Sequence, residues 1–202
     1  FPVPPTHLEA AIRGIQALGL AGCNLTIPHK VEAMAYMDWV DPLAQRMGAI
    51  NTIVVQADGA LHGFNNDGFG FLQSLRDAQP NWRADLGPIV IVGAGGAARA
   101  IVVSLIDAGA TEIRLLNRTH HKAQALAQEF GTPVTSFDWS ERHEALAGAA
   151  LLVNTTNQGM HGEAPLDLSL DQLPTNALVS DAIYIPLETP LLQAARLRGN
   201  TT

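Results

Sequence analysis

Three residues in the first third of the chain are of types that suit proton transfer and the holding of hydroxyl groups: Lys30, Asn51 and Asp67. Lys30 closes the segment Asn24-Leu-Thr-Ile-Pro-His-Lys30, so its ammonium projects from the expected start of a helix, just past a strand ended by Pro28. A cation is slightly disfavoured there, because the helix dipole is positive at its N-terminus. Asp67 stands just after an apolar run, at another expected helix start, and Asn51 follows Gly48-Ala-Ile. Read singly, each has an ordinary structural account: a solvated lysine, a turn residue and a helix N-cap.

A second group of residues suits phosphate. Pro88-Ile-Val-Ile-Val-Gly-Ala-Gly-Gly-Ala-Ala-Arg99 reads as a buried strand entering a glycine turn and a helix. Gly93, Gly95 and Ala98 satisfy G-x-G-x-x-[G/A] in the strand-then-helix setting that gives this pattern meaning. Gly93 permits the tight turn, Gly95 lets a pyrophosphate approach the backbone, and Ala98 allows close helix–strand packing. Free N–H groups at the helix start, from Ala94 to Ala97, then face the anion. The next strand ends in Leu115-Leu-Asn-Arg-Thr119, with Lys122 one helical turn beyond. An NAD site places a carboxylate here to accept from the ribose hydroxyls, and none is present. Arg118 instead suits adenine stacking and a 2′-phosphate, a charge-assisted contact of about 1.5–3 kcal/mol. NADP(H) is the expected cofactor. His120 and His121 read as solvated residues at a helix start.

The elements that must position these groups follow from pattern. Thr6 and Glu9 form a capping-box pattern ahead of Leu8, Ile12, Ile15 and Leu18, and Gly19 ends that helix. A strand is expected over 23–27, helices over 30–37 and 42–47, and a hairpin from 51–55 and 61–64 around Asp58-Gly59. Asn65-Asn66-Asp67 caps a helix carrying Phe69, Phe71, Leu72 and Leu75. A polar stretch over 80–87 suits a domain boundary. Beyond it, strands over 89–92, 112–116, 133–134, 151–154 and 178–181 alternate with helices over 96–108, 119–130, 141–147 and 189–198. That alternation predicts a doubly wound parallel sheet, hence a two-domain α/β protein divided 1–84 and 85–197, with 198–202 beginning a return to the first domain.

Composition narrows the partners. Apolar residues make up 47% of the 202 and charged ones 15%, as expected of a folded globular chain. The formal net charge of −7 opposes general nucleic-acid binding. No apolar run approaches the roughly 20 residues that span a bilayer. Cys23 is the one cysteine, so no internal disulfide forms, which fits a reducing cytoplasm. No metal site is expected. The start, Phe1-Pro-Val-Pro-Pro5, reads as a chain entered partway through.

The motifs occur in a fixed order: Asn24 to Lys30, Gly48-Ala-Ile-Asn-Thr52, Gly63-Phe-Asn-Asn-Asp-Gly-Phe-Gly-Phe71, the Gly93 turn, Asn117-Arg-Thr119, Asn154-Thr-Thr-Asn-Gln-Gly-Met160 and Asp181-Ala-Ile-Tyr-Ile-Pro-Leu-Glu-Thr189. This set closely resembles the shikimate dehydrogenase family over essentially the whole chain. The resemblance implies NADPH-dependent reduction of 3-dehydroshikimate to shikimate, within aromatic amino-acid synthesis. It implies Lys30 as acid/base, Asp67 as its partner on the substrate hydroxyls, and Thr26, Asn51 and Tyr184 as further substrate contacts. Gly93, Ala94, Gly95, Gly96, Ala97, Asn117, Arg118, Thr119 and Lys122 would hold NADP, and the Ala182 backbone would lie beside the nicotinamide. A small-molecule substrate is thus the expected partner, with homodimerisation open. Two positions depart from the family pattern, Asn66 for the usual Thr and Asn157 for Pro or Ser. The family's N-terminal Ser-x-Ser carboxylate contact lies outside this sequence. A quinate/shikimate dehydrogenase with relaxed cofactor use, and a catalytically silent nucleotide-binding homologue, stay open as alternatives.

Overall fold

Apolar alternation in the first third builds a sheet that one helix can cover. In the computed structural model, which describes all 202 residues, strands β1 (Gly22–Asn24), β2 (Trp39–Val40), β3 (Thr52–Val55) and β4 (Leu61–Phe64) form a sheet in the order β1-β3-β4-β2. Helix α1 (Leu8–Ala17) buries Leu8, Ile12 and Ile15 against Ile50, Ile53 and Leu61. Full burial of such side chains contributes about 1.5–3 kcal/mol each. Leu18 lies past the helix end and is exposed. Helix α2 (Pro42–Met47) is capped by Asp41, whose carboxylate accepts from the Leu43 and Ala44 amides, and stops at Gly48 with φ +65.

Helix α3 (Asp67–Ala78) follows β4 and packs on helix α4 (Gly96–Asp107), so Leu75 joins the core of the second sheet. That sheet contains β5 (Ile89–Val92), β6 (Ile113–Leu116), β7 (Val134–Phe137), β8 (Leu151–Asn154) and β9 (Leu178–Asp181), all parallel, in the order β7-β6-β5-β8-β9. β5 is buried at every position, its Ile89 and Ile91 in one core and Val90 and Val92 in the other. A parallel strand covered on both faces requires such an unbroken apolar run. The order runs outward from β5 in both directions. The gap between the ends of β5 and β8 is therefore the switch point at which doubly wound sheets bind ligands. Helices α4 and α5 (His120–Phe130) cover one face, and α6 (Pro190–Leu197) lies on the other.

The two parts meet at α4. Met47 is buried against Ala100 and Val103, and Arg46 pairs with Asp107 at 2.6 Å. Arg99 donates to the Met47 carbonyl at 2.6 Å, pairs with Glu129 and lies over the Phe130 ring.

Several expectations change. Pro5 starts a 3₁₀ turn over Pro5–His7 because its ring presets a helical φ, so Thr6 falls inside the turn and no capping box forms. The helix expected over 30–37 is a 3₁₀ segment, Glu32–Tyr36, since the Lys30 carbonyl is taken by the Ile50 amide at 2.8 Å. The strand expected over 23–27 leaves the sheet after Asn24. The helix expected over 141–147 is two 3₁₀ turns, Trp139–Glu141 and Glu144–Leu146. Two-residue β2 carries too little pattern to read, and edge strand β7 runs on through polar Thr135 and Ser136, whose outer side needs no partner.

Candidate active site

Lys30 is fixed by the crowding around its backbone. The Ile50 amide holds its carbonyl, and a Cβ added at Gly96 would come 2.9 Å from the Lys30 Cβ. The loop carrying Lys30 therefore rests on the first residue of α4. Its Nζ lies 2.6 Å from Asp67 Oδ2, with the two side chains 14% and 25% exposed. Asp67 is the first residue of α3 rather than its cap. Its amide donates to Asn65 Oδ1 at 3.0 Å, and its carboxylate, which caps no amide of the helix, turns to Lys30. The dipole of α3 favours an anion at that end.

A relay stands behind the pair. Asn51 Nδ2 donates to Asp67 Oδ1 at 2.7 Å, while Asn51 Oδ1 accepts from Thr52 Oγ1 at 2.8 Å and the Asn66 amide at 3.1 Å. Both Asp67 oxygens are thus engaged, and the lysine amine is held in one orientation. Of its three N–H groups, Asp67 takes one within the protein.

Two clefts meet at this lysine. One, of about 460 Å³, lies over the switch point and is walled by Gly93, Ala94, Gly95, Gly96, Ala97, Asn117, Arg118 and Lys122, together with Val92 and residues 155–158. The other, of about 470 Å³, is walled by Thr26, Asp67, Phe71, Ser74, Met160 and the segment 180–185, which includes Ala182 and Tyr184. Ile27, Lys30, Ala97, Thr155 and Thr156 line both. Two residues expected at the site stand back from it. Asn51 acts from behind Asp67, and Thr119 offers its carbonyl to Asn117 Nδ2 at 2.9 Å. Tyr184 sits at the rim, 74% exposed.

The first cleft fits a dinucleotide. Gly95 is the N-cap of α4 and has no side-chain cap, so the helix start presents unpaired N–H groups. A Cβ at Gly95 would meet nothing within 4 Å, leaving open space beside the backbone for a pyrophosphate. The wall holds the cations Lys30, Arg118 and Lys122 and no carboxylate. Asp138, at the end of β7, is turned to the Ser140 hydroxyl at 2.7 Å and His120 at 3.0 Å, and those bonds, Ser140's foremost, hold its carboxyl below the usual range. Gly93 has φ +118, and a Cβ there would fall 2.2 Å from Thr155 Oγ1. We expect Gly93→Ala to cost about 3 kcal/mol from strain and overpacking, read as a lower urea midpoint. An unchanged midpoint contradicts this placement.

The sequence reading assigned no role to Asn154, Thr155, Thr156 or Asp181, although it quoted their segments. The available signal is position: Asn154, Thr155 and Thr156 lie at or just past the end of β8, which flanks the switch point, and Asp181 ends β9 beside it. Asp181 is half-buried, and desolvation pushes its carboxyl up from the ordinary value against the opposing bonds from Thr189, Ile183 and Asn154. No helix is long and apolar enough to cross a membrane, and no cluster of His, Cys, Asp and Glu has a metal-binding arrangement.

Sequence comparison matches residues 1–53 to the shikimate dehydrogenase substrate binding domain and residues 81–161 to shikimate / quinate 5-dehydrogenase. A shikimate dehydrogenase (NADP(+)) of Paramagnetospirillum magneticum is 52% identical over 198 residues, which covers 98% of this chain and 72% of that protein. The chain belongs to the shikimate dehydrogenase family. Among solved members of the fold, the shikimate 5-dehydrogenase of Thermus thermophilus in complex with NADP(H) and shikimate superposes with a TM-score of 0.84. It is 37% identical, with 98% of this chain and 72% of that one covered. The quinate dehydrogenase of Corynebacterium glutamicum in complex with NAD gives 0.86 at 32% identity, over 96% and 70%. The shikimate dehydrogenase fold, two domains with a doubly wound nucleotide half, is thus the fold expected from the motifs.

Proposed function

We propose that this chain catalyses the reversible NADPH-dependent reduction of 3-dehydroshikimate to shikimate, a step toward chorismate and the aromatic amino acids. The observation that carries the reading is the Lys30–Asp67 pair standing where the cleft over the glycine turn meets a second cleft of mixed polar and apolar lining. Residues 1–84 carry most of the substrate contacts and residues 85–197 the cofactor. A cytoplasmic setting agrees with the single unpaired cysteine, Cys23.

NADPH, when bound, supplies the hydride that reduces the ring carbonyl. Lys30 donates the proton that the carbonyl oxygen then requires, and in the reverse direction its neutral amine accepts it. Asp67 orients Nζ and holds a substrate hydroxyl. Asn51 fixes Asp67 and so acts through it, while Thr26 and Tyr184 offer hydroxyls at the far walls. Gly93 to Ala97 would cradle the pyrophosphate, and Asn117, Arg118 and Lys122 would form the 2′-phosphate end, with Thr119 supporting Asn117 from behind. The Ala182 amide is already spent on the Asn154 carbonyl at 2.9 Å, so its own carbonyl is the group left for the nicotinamide amide.

The test follows absorbance of reduced nicotinamide with shikimate or quinate, each with NADP+ or NAD+. Only shikimate with NADP+ should respond strongly. A dominant response to quinate with NAD+ moves the assignment to a quinate dehydrogenase, and silence in all four supports a nucleotide-binding homologue.

A further inference from the structure

Asp181 and Asn154 are adjacent partners in the register of β8 and β9, at the strand ends that open on the two clefts. Asn154 is fully buried and Thr189 is 1% exposed. Asn154 Nδ2 donates to Asp181 Oδ1 at 3.1 Å and to the Gln158 carbonyl at 3.2 Å. Asn154 Oδ1 accepts from the Thr156 amide at 3.0 Å and its hydroxyl at 2.8 Å, and Thr156 Oγ1 in turn accepts from the Gln158 amide at 3.1 Å. Asn154 thereby shapes the loop 155–158.

Asp181 does the same for the next loop. Its Oδ1 also accepts from the Ile183 amide at 3.0 Å, and its Oδ2 accepts from Thr189 Oγ1 at 2.7 Å. Thr189 caps α6 by accepting from the Leu192 amide at 3.3 Å. Both ends of the segment 182–189, which carries Ala182 and Tyr184, are therefore tied to one carboxylate. Loop 155–158 lines the first cleft and contributes Thr155 and Thr156 to the second, which residues 180–185 also line.

We propose that Asp181 is a positioning residue that, through Asn154, locks loops 155–158 and 182–189 into one unit, so that the wall of the cofactor cleft and the wall of the substrate cleft are set together. Burial raises the carboxyl's pKa, so a neutral apolar side chain would be easier to bury here. The carboxylate gathers three donors, one from Asn154 and one from each end of the segment 182–189, which no apolar residue can do. A misplacement of about 1 Å at such a site costs on the order of 100-fold in rate. This inference rests on the proposed oxidoreductase activity for its kinetic consequence, but its structural part is independent of it.

The experiment compares the parent, Asp181→Ala and Asp181→Asn by amide hydrogen exchange and by steady-state kinetics. Asn keeps the oxygen that Ile183 and Asn154 share, so it is the conservative rescue. Asp181→Ala should speed exchange in 155–160 and in 182–189 together, leave the β5–α4 turn protected, and lower kcat about 10- to 100-fold. The KM for NADP+ should rise by less than kcat falls, because loop 155–158 and Ala182 loosen while the Arg118 end is untouched. Asp181→Asn should restore both loops and most of kcat. If Asp181→Ala does not fold, Thr189→Val carries the test, with faster exchange over 182–189 and a raised KM for shikimate. Loosening of only one loop by Asp181→Ala, no loosening in any folded variant, or full turnover by a loosened variant overturns the proposal. A parent that is inactive yet shows the coupled loosening upholds the clasp and refutes the activity reading instead.

Discussion

Lys30→Ala lowers kcat by about 10²–10⁴-fold, the range for loss of a positioned general acid, while NADPH still binds. The pair geometry separates the two effects. Lys30 Nζ is committed to Asp67 at 2.6 Å, where the two clefts join, whereas the proposed pyrophosphate cradle is the backbone of Gly93 to Ala97. Removing the amine leaves Asp67 held by Asn51 at 2.7 Å, so the substrate wall keeps its shape. The loss belongs in kcat, with KM for shikimate changing much less. Titration of NADPH fluorescence beside turnover measures both. Near-normal turnover with intact binding removes Lys30 from the chemistry.

Arg118→Ala raises the KM for NADP+ by about 10- to 150-fold, the equivalent of one charge-assisted contact of about 1.5–3 kcal/mol. Arg118 is exposed on the cleft wall, and no carboxylate lines that wall to compete for it. The KM for NAD+ should move by less than about threefold, since NAD+ lacks the 2′-phosphate. Lys122, one helical turn on, retains part of the attraction, so the variant keeps a residual preference for NADP+. An equal loss on both cofactors would place Arg118 under the adenine alone, and no loss on either would make it a solvated surface residue.

The parallel half was legible because its physics is local. Each of β5, β8 and β9 is a short apolar run between turn signals, and the structure reproduces those bounds residue for residue. The first third was harder because tertiary bonds override local preference there. Lys30 looks like a helix start in sequence, yet its carbonyl goes to Ile50, twenty residues away, and the helix gives way to a short 3₁₀ segment. The expected penalty of a cation at a helix start consequently does not arise from its own segment. Asp67 likewise resembles an N-cap, and only the fold shows that Asn66 takes the cap position while the Asp67 carboxylate turns to Lys30.

The network behind the site was illegible for a related reason. Asn154 and Asp181 carry no spacing signal, since 27 residues separate them and strand pairing alone makes them neighbours. Arg99 is similar. Its side chain crosses from α4 to the Met47 carbonyl, and nothing in the glycine motif beside it foretells that contact. Motif order points to the chemistry, while the relative placement of the two parts comes from packing around α4.

The central claim, hydride transfer to a ring carbonyl next to Lys30, is tested most directly by isotope transfer. The chain is incubated with 3-dehydroshikimate and NADPH deuterated at both C4 positions, and the shikimate formed is weighed by mass spectrometry. The shikimate formed should be one mass unit heavier, and Lys30→Ala should form it at least about 100-fold more slowly. Unlabelled shikimate, or none from a parent that binds both ligands, contradicts the claim.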